Sequence, residues 1–167
     1  MRDLSVEMIR LVPMRKVPAR VRLANSAVLN GAFYVAMRGA RGKPETLAHR
    51  LNNWTEKFLP FALEDRHVLL KKSCIVTVEI PSSERENEES APEDRLEFRV
   101  KLDLLNGTAV AGNARGEARS GRTRTLDYLN SASRFIDLLV DDAIVLVNGS
   151  YVVAASDVFD PDLDMER

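Results

Sequence analysis

Two stretches of the chain carry the same run of apolar and polar positions. "FLPFALEDRHVLLKKSCIVTV", from Phe58, and "FIDLLVDDAIVLVNGSYVVAA", from Phe135, align without a gap. Phe58 meets Phe135, Leu59 meets Ile136, Phe61 meets Leu138, and Leu63 meets Val140. The acidic pair Glu64-Asp65 meets Asp141-Asp142, and Val68-Leu69-Leu70 meets Val145-Leu146-Val147. Ser73 then meets Ser150, and Ile75-Val76 meets Val152-Val153. These short apolar runs, bounded by charged or turn-forming residues, predict strands.

Just ahead of each run lies a short helical stub, "TLAHRLN" and "TLDYLN". Thr46 and Thr125 are suited to cap a helical turn, their hydroxyls accepting a free backbone N–H. Leu47 with Leu51, and Leu126 with Leu129, each cover one helix face. Asn52 and Asn130 are expected to end the helices in a left-handed conformation. So short a helix has little stability of its own and must be held by packing onto a sheet.

Further upstream, "VRLANSAVLNGAFYVAMRG" resembles "VKLDLLNGTAVAGNARG". Asn30-Gly31 and Asn106-Gly107 predict two-residue type I′ hairpin turns, as does Asn148-Gly149 later in the chain; Lys71-Lys72 stands there in the first run. The repeating unit thus reads strand, strand, short helix, then two or three strands. The fold expected is mainly β: two tandem, pseudo-symmetric small β-barrel or curved-sheet modules, each with one short helix. Units of this size are marginal alone, so the two are expected to pack together with approximate two-fold symmetry. The predicted organisation is an N-terminal amphipathic segment 1–19, a first module 20–81, an acidic linker 82–95, a second module 96–157 and an acidic tail 158–167.

Composition narrows the function classes. The 167 residues are 45% hydrophobic and 29% charged with a formal net charge of −1, so no global field favours nucleic acid or an anionic membrane. The first residues lack the apolar core of a signal peptide, and no run is long enough to span a bilayer, so a cytoplasmic protein without membrane insertion is expected. Cys74, the one cysteine, falls in "CIVTV" and is expected to be a buried structural thiol.

The second run, "RTLDYLNSASRFIDLL…IVLVNGSYVVAA", resembles a family of uncharacterised bacterial small β-barrel domains of Sm- or SH3-like shape. Their pattern is a glycine after the first strand, "R-L-x-D-x-L-N", a Phe-rich strand and a closing "V-N". Gly107, Leu126, Asp127, Leu129, Asn130, Phe135 and Val147-Asn148 fill those places, with Thr125 departing from the pattern. The first run keeps Leu47, Leu51, Asn52 and Phe58 but has Ala48 for the aspartate. The resemblance implies a small barrel and a binding role; it brings no catalytic residues.

Candidate chemistry is sparse. His49 and His67 have Tyr128 and Ile144 as counterparts, and neither has the partners of a triad or a metal site. The acidic pairs fall where turns are expected, and Asp127 suits the start of a helix. "RGEAR" with "NGSYVV" resembles the signature of cyclic-di-GMP-binding PilZ barrels through Arg115, Arg119, Asn148 and Ser150, but Val153 stands in place of its last glycine. The basic loops are richer: Arg38, Arg41 and Lys43 precede the first stub, and Arg115, Arg119, Arg122 and Arg124 precede the second. Arginines on such loops could hold phosphate or carboxylate. Trp54, on a polar stretch, either packs the helix against the sheet or anchors a partner, and packing is favoured. These residues point to a non-enzymatic protein-interaction module, an adaptor, scaffold or regulatory protein, without cofactor or metal. The alternative is binding of an anion, nucleotide or RNA at the arginine loops. A protein partner is expected and a homo-oligomer is compatible with the pattern.

Overall fold

The computed structural model describes residues 13–39, 42–85, 95–117, 124–132 and 134–158. The first half comprises β1 (Met14–Leu23), β2 (Val28–Ala36), α1 (Leu47–Asn52), β3 (Phe58–Ala62), β4 (His67–Lys71) and β5 (Ile75–Pro81). The second comprises β6 (Arg95–Leu104), β7 (Ala109–Glu117), α2 (Arg124–Ser131), β8 (Phe135–Val140), β9 (Ala143–Asn148) and β10 (Val152–Asp157). A single 3₁₀ turn joins β4 to β5 (Lys72–Cys74) and another joins β9 to β10 (Gly149–Tyr151). The alternation legible in β1, where Val17, Ala19 and Val21 are buried between exposed residues, is the period of a strand with one face on a core.

All the strands form one antiparallel sheet in the order β10-β6-β7-β8-β9-β5-β1-β2-β3-β4. Within it, each half runs fifth strand, first, second, third, fourth. The halves meet where β5 pairs with β9, from Thr77 opposite Val147 to Pro81 opposite Ala143. No closed barrel forms among the described residues, because β5 takes its second neighbour from the other half rather than from β4. The junction also departs from the expected two-fold relation. A two-fold would join like strands, whereas here a fifth strand meets a fourth, head to tail.

Two core clusters lie on opposite faces of the shared strands. Phe135, Ile144 and Leu146 join Val17, Val21, Phe33, Phe61, Ile80 and both α1 leucines. Their neighbours Ile136, Leu138 and Val147 face Val100, Leu102, Leu104 and Ala114. Thus β8 and β9 are buried on both sides.

Several expected turns take another form. Asn30-Gly31 lies inside β2, opposite Arg20 and Ala19. Gly31 is required there by close approach: a Cβ would sit 2.7 Å from the Phe61 ring and against the Ala62 carbonyl. The β1–β2 turn falls instead at Asn25-Ser26, with Ser26 at φ 70°, and matches Asn106-Gly107, with Gly107 at φ 85°. In each, the asparagine Oδ1 accepts from the backbone N–H two residues on, at 3.0 Å. One left-handed residue after the asparagine makes a three-residue bulged loop rather than type I′. Asn148 is extended, at φ −69°, and Asn148-Gly149 opens a 3₁₀ turn.

Other boundaries move. Strand β1 begins at Met14, inside the expected terminal segment, and Ser82–Arg85 of the expected linker form a 3₁₀ turn. Glu84 in that turn accepts two bonds of 2.9 Å from Arg15. Cys74 is exposed, since it lies in the turn and not in the strand beyond it. Residues 1–12 of the expected N-terminal amphipathic segment, most of the linker and most of the acidic tail lie outside the described residues.

Candidate interaction surface

The short helix α1 sits over the junction of the two halves. Thr46 caps it as the sequence predicts, its Oγ1 accepting from the His49 N–H at 3.2 Å. Leu47 and Leu51 are buried, and Thr46, Leu47 and Ala48 face Ile80, Ile144 and Leu146. Asn52 adds a polar tie, its Oδ1 accepting from the Phe135 N–H of β8 at 2.8 Å.

The helix does not end on a left-handed asparagine. Its C-cap residue Asn53 is extended, and Lys72 takes over the capping task. The buried Lys72 Nζ donates to the carbonyls of Arg50 at 2.9 Å and Asn53 at 2.7 Å. Burial pushes the Lys72 pKa below its ordinary value, partly offset by Glu56 and reinforced by Arg50 and Arg134. In the second half Gly149 stands at the place of Lys72, and the residue before it, buried Asn148, donates from Nδ2 to the Ile75 carbonyl at 2.9 Å and accepts from the Ser150 N–H at 3.0 Å. It therefore staples β9 to the start of β5, which leaves its side chain committed to the fold.

Helix α2 is held differently. Thr125 lies inside it, not at its cap, because the helix starts at Arg124; the Thr125 hydroxyl donates to Asp157 of β10. Tyr128 meets Phe98 edge-on at 5.2 Å and Leu129 packs on the second core cluster, but Leu126 is exposed. Asn130 is within the helix and is not left-handed.

The sheet ends in two strands that are each paired on one side only, β4 on β3 and β10 on β6. The β4 edge exposes Leu69, and Phe58 of β3 is exposed beside it. The β10 edge exposes Val153, Ala154 and Ala155. Charge differs between the edges: β4 carries His67 and Lys71 at its ends, and β10 closes on Asp157. His67 Nε2 and the Tyr34 hydroxyl share a 2.7 Å hydrogen bond.

The basic residues do not converge. Arg38 and Lys43 are exposed before α1, whereas Arg115 lies in β7 and forms an ion pair with Glu97 at 3.2 Å. Arg41, Arg119 and Arg122 lie outside the described residues, as does the side chain of Arg124. Trp54, expected to pack, is 79% exposed and stacks its ring under the Arg134 guanidinium at 4.8 Å. Its neighbours Asn53 and Thr55 form a small turn at the surface, the Thr55 N–H donating to Asn53 Oδ1 at 3.1 Å.

The acidic pairs Glu64-Asp65 and Asp141-Asp142 occupy the β3–β4 and β8–β9 turns, with Asp141 at φ 50°. Tyr151 donates to the Ser73 carbonyl at 2.6 Å, and burial raises its pKa, with a further push from Cys74. No group of three His, Cys, Asp or Glu able to hold a metal ion occurs among the described residues. No helix there is long and apolar enough to cross a membrane.

The free edges were missed at the sequence level. Their signal was Leu69 and Val153, apolar residues in the alternating runs whose neighbours could not be read from one strand. No family model, curated protein or solved structure matches the chain.

Proposed function

We propose that the chain is a non-enzymatic protein-interaction module made of two copies of one β unit, an adaptor or scaffold that recruits partners through its sheet edges. The observation that carries this reading is the pair of half-paired strands, β4 and β10, each exposing apolar side chains. An unpaired edge offers a row of backbone donors and acceptors to which another strand adds. Neither edge strand contains a proline, and neither has a lysine at its centre to repel a partner.

The same order of strands in both halves, with the same pairings, supports a duplicated unit of the small-barrel type. Its fifth strand is here lent to its neighbour. Binding of an anion or RNA has less support, because Arg115 already has Glu97 as its partner.

A photo-crosslinking amino acid placed at Leu69 or Val153 in the source cell tests the reading. Discrete protein adducts are expected at both edges and not at Val28, on the far end of β2. Absence of adducts at both edges overturns it.

A further inference from the structure

Because the two halves repeat, the junction inside the molecule shows what its two outer edges lack. Positions correspond at a constant offset: Phe58 pairs with Lys71 as Phe135 pairs with Asn148, and Leu59 with Leu70 as Ile136 with Val147. At the internal junction, β9 presents Leu146 and β8 presents Phe135 to the first half, at 0% and 3% exposure. Their counterparts Leu69 and Phe58, which meet no second half, are 69% and 52% exposed. The other side of the junction behaves alike: Val76 of β5 is 2% exposed, its β10 counterpart Val153 61%.

Every one of these differences has the same origin. The fourth strand of the second half is covered by the fifth strand and helix of the first, and the fourth strand of the first half has no such cover. Conversely, β10 has no fourth strand beside it. The free edges β4 and β10 are thus the two complementary sides of the junction the molecule already makes once.

We propose that β10 of one molecule pairs antiparallel with β4 of a second copy, repeating the β5–β9 junction head to tail. This rests on the interaction-module reading and names the partner as the chain itself. The internal register, Val78 opposite Leu146 and Ile80 opposite Ile144, transfers to Ala155 opposite Leu69 and Asp157 opposite His67 of the second copy. An isoleucine pair inside the chain thus becomes an acid–base pair between chains, so the charges of the two edges are complementary. Leu126 of α2, exposed where Leu47 of α1 is buried, comes to lie over the new junction as α1 lies over the old one. Such a contact is heterologous. It continues from copy to copy and stops only when a ring closes.

Native mass spectrometry and light scattering of the full chain should show a defined cyclic assembly. The substitutions Leu69→Glu and Val153→Glu each place a charge on one exposed edge. Each variant alone should be monomeric with an unchanged circular dichroism spectrum, and Val28→Glu should assemble as the unchanged chain does. Mixed together, the two variants should form a dimer and nothing larger, because each retains the edge the other has lost.

In a Cys74→Ser background, Leu69→Cys and Ala155→Cys should form a disulfide with each other in the mixture, and neither should crosslink with itself. This pair keeps the proposal testable even if a glutamate variant unfolds. A monomeric chain, or self-crosslinking of Leu69→Cys, overturns the proposal. If a monomeric chain still gives edge adducts with a different protein, self-assembly falls and the interaction-module reading stands; with no adducts, both fall.

Discussion

Replacing Lys72 with methionine separates the buried ammonium from the packing of its stem. A helix leaves its last four carbonyls without intrahelical partners, and in α1 the Lys72 Nζ serves two carbonyls at this end, those of Arg50 and Asn53. Methionine fills a similar volume but donates nothing. An orphaned buried polar group costs about 1–3 kcal/mol, and that cost does not apply twice here. The Arg50 carbonyl keeps the Asn53 N–H at 3.2 Å, and Asn53 is exposed, so water reaches its carbonyl. Methionine also avoids desolvating a charge, which offsets part of the loss.

With both acceptors keeping other partners, the net expectation for Lys72→Met is a loss of about 0.5–1.5 kcal/mol, the net contribution of a hydrogen bond. Urea unfolding followed by Trp54 fluorescence measures it next to the affected carbonyl, with the midpoint lowered and the slope unchanged. A loss below about 0.5 kcal/mol would refute the capping role, since that is the range of an ordinary surface change. The pH dependence gives a second check. Burial lowers the Lys72 pKa from 10.5, so between the folded and unfolded values the unfolded chain binds more protons. Its contribution therefore makes the wild-type chain gain stability as pH rises through that window. The methionine variant lacks this gain, and the difference between the two should widen towards pH 10.5.

Three further outcomes are expected. Gly31→Ala and Gly112→Ala should each cost about 1–3 kcal/mol in urea unfolding, because the new methyl meets the Phe61 ring at 2.7 Å in one case and the Leu139 carbonyl at 2.7 Å in the other; a neutral effect would show that β3 or β8 yields freely. Asn148→Leu should cost about 2–3 kcal/mol by orphaning the Ile75 carbonyl and the Ser150 N–H, and hydrogen exchange at Ser150 should accelerate while that of β1 does not. Trp54 should be quenched by acrylamide nearly as freely as a model indole, and Arg134→Ala should shift its emission at a cost of no more than about 1 kcal/mol; a buried spectrum contradicts the exposed stack.

Much of the local structure was legible in the residues. The runs from Phe58 and Phe135 read as strands because their apolar positions alternate or cluster over strand lengths, and the Thr46 cap read correctly because that hydroxyl acts within one turn. The errors fall where a local signal served a distant need. Gly31 follows an asparagine, as a turn glycine would, but what requires it is the approach of β3. Lys72 stands where the second run has the expected turn glycine, while its partners are carbonyls at the end of α1. Asn148 looked left-handed, and its side chain is instead spent on the backbone of Ile75. Trp54 was expected to pack because indoles bury large apolar areas, and Arg134, far along the chain, gives it a surface partner instead.

The sequence alone determined that the runs from Phe58 and Phe135 are strands, that Leu47 and Leu51 share one helix face, and that a similar series of elements recurs in both halves. Those properties depend on side-chain period and on contacts within a few residues. Only the tertiary structure decided which strand lies beside which. Backbone N–H and C=O groups are the same in every strand, so the pattern that says β5 needs a neighbour cannot say whether that neighbour is β4 or β9. Pairing β5 with β9 joins the two halves into one open sheet, buries Leu146 and Val76, and leaves Leu69 and Val153 exposed on the two end strands.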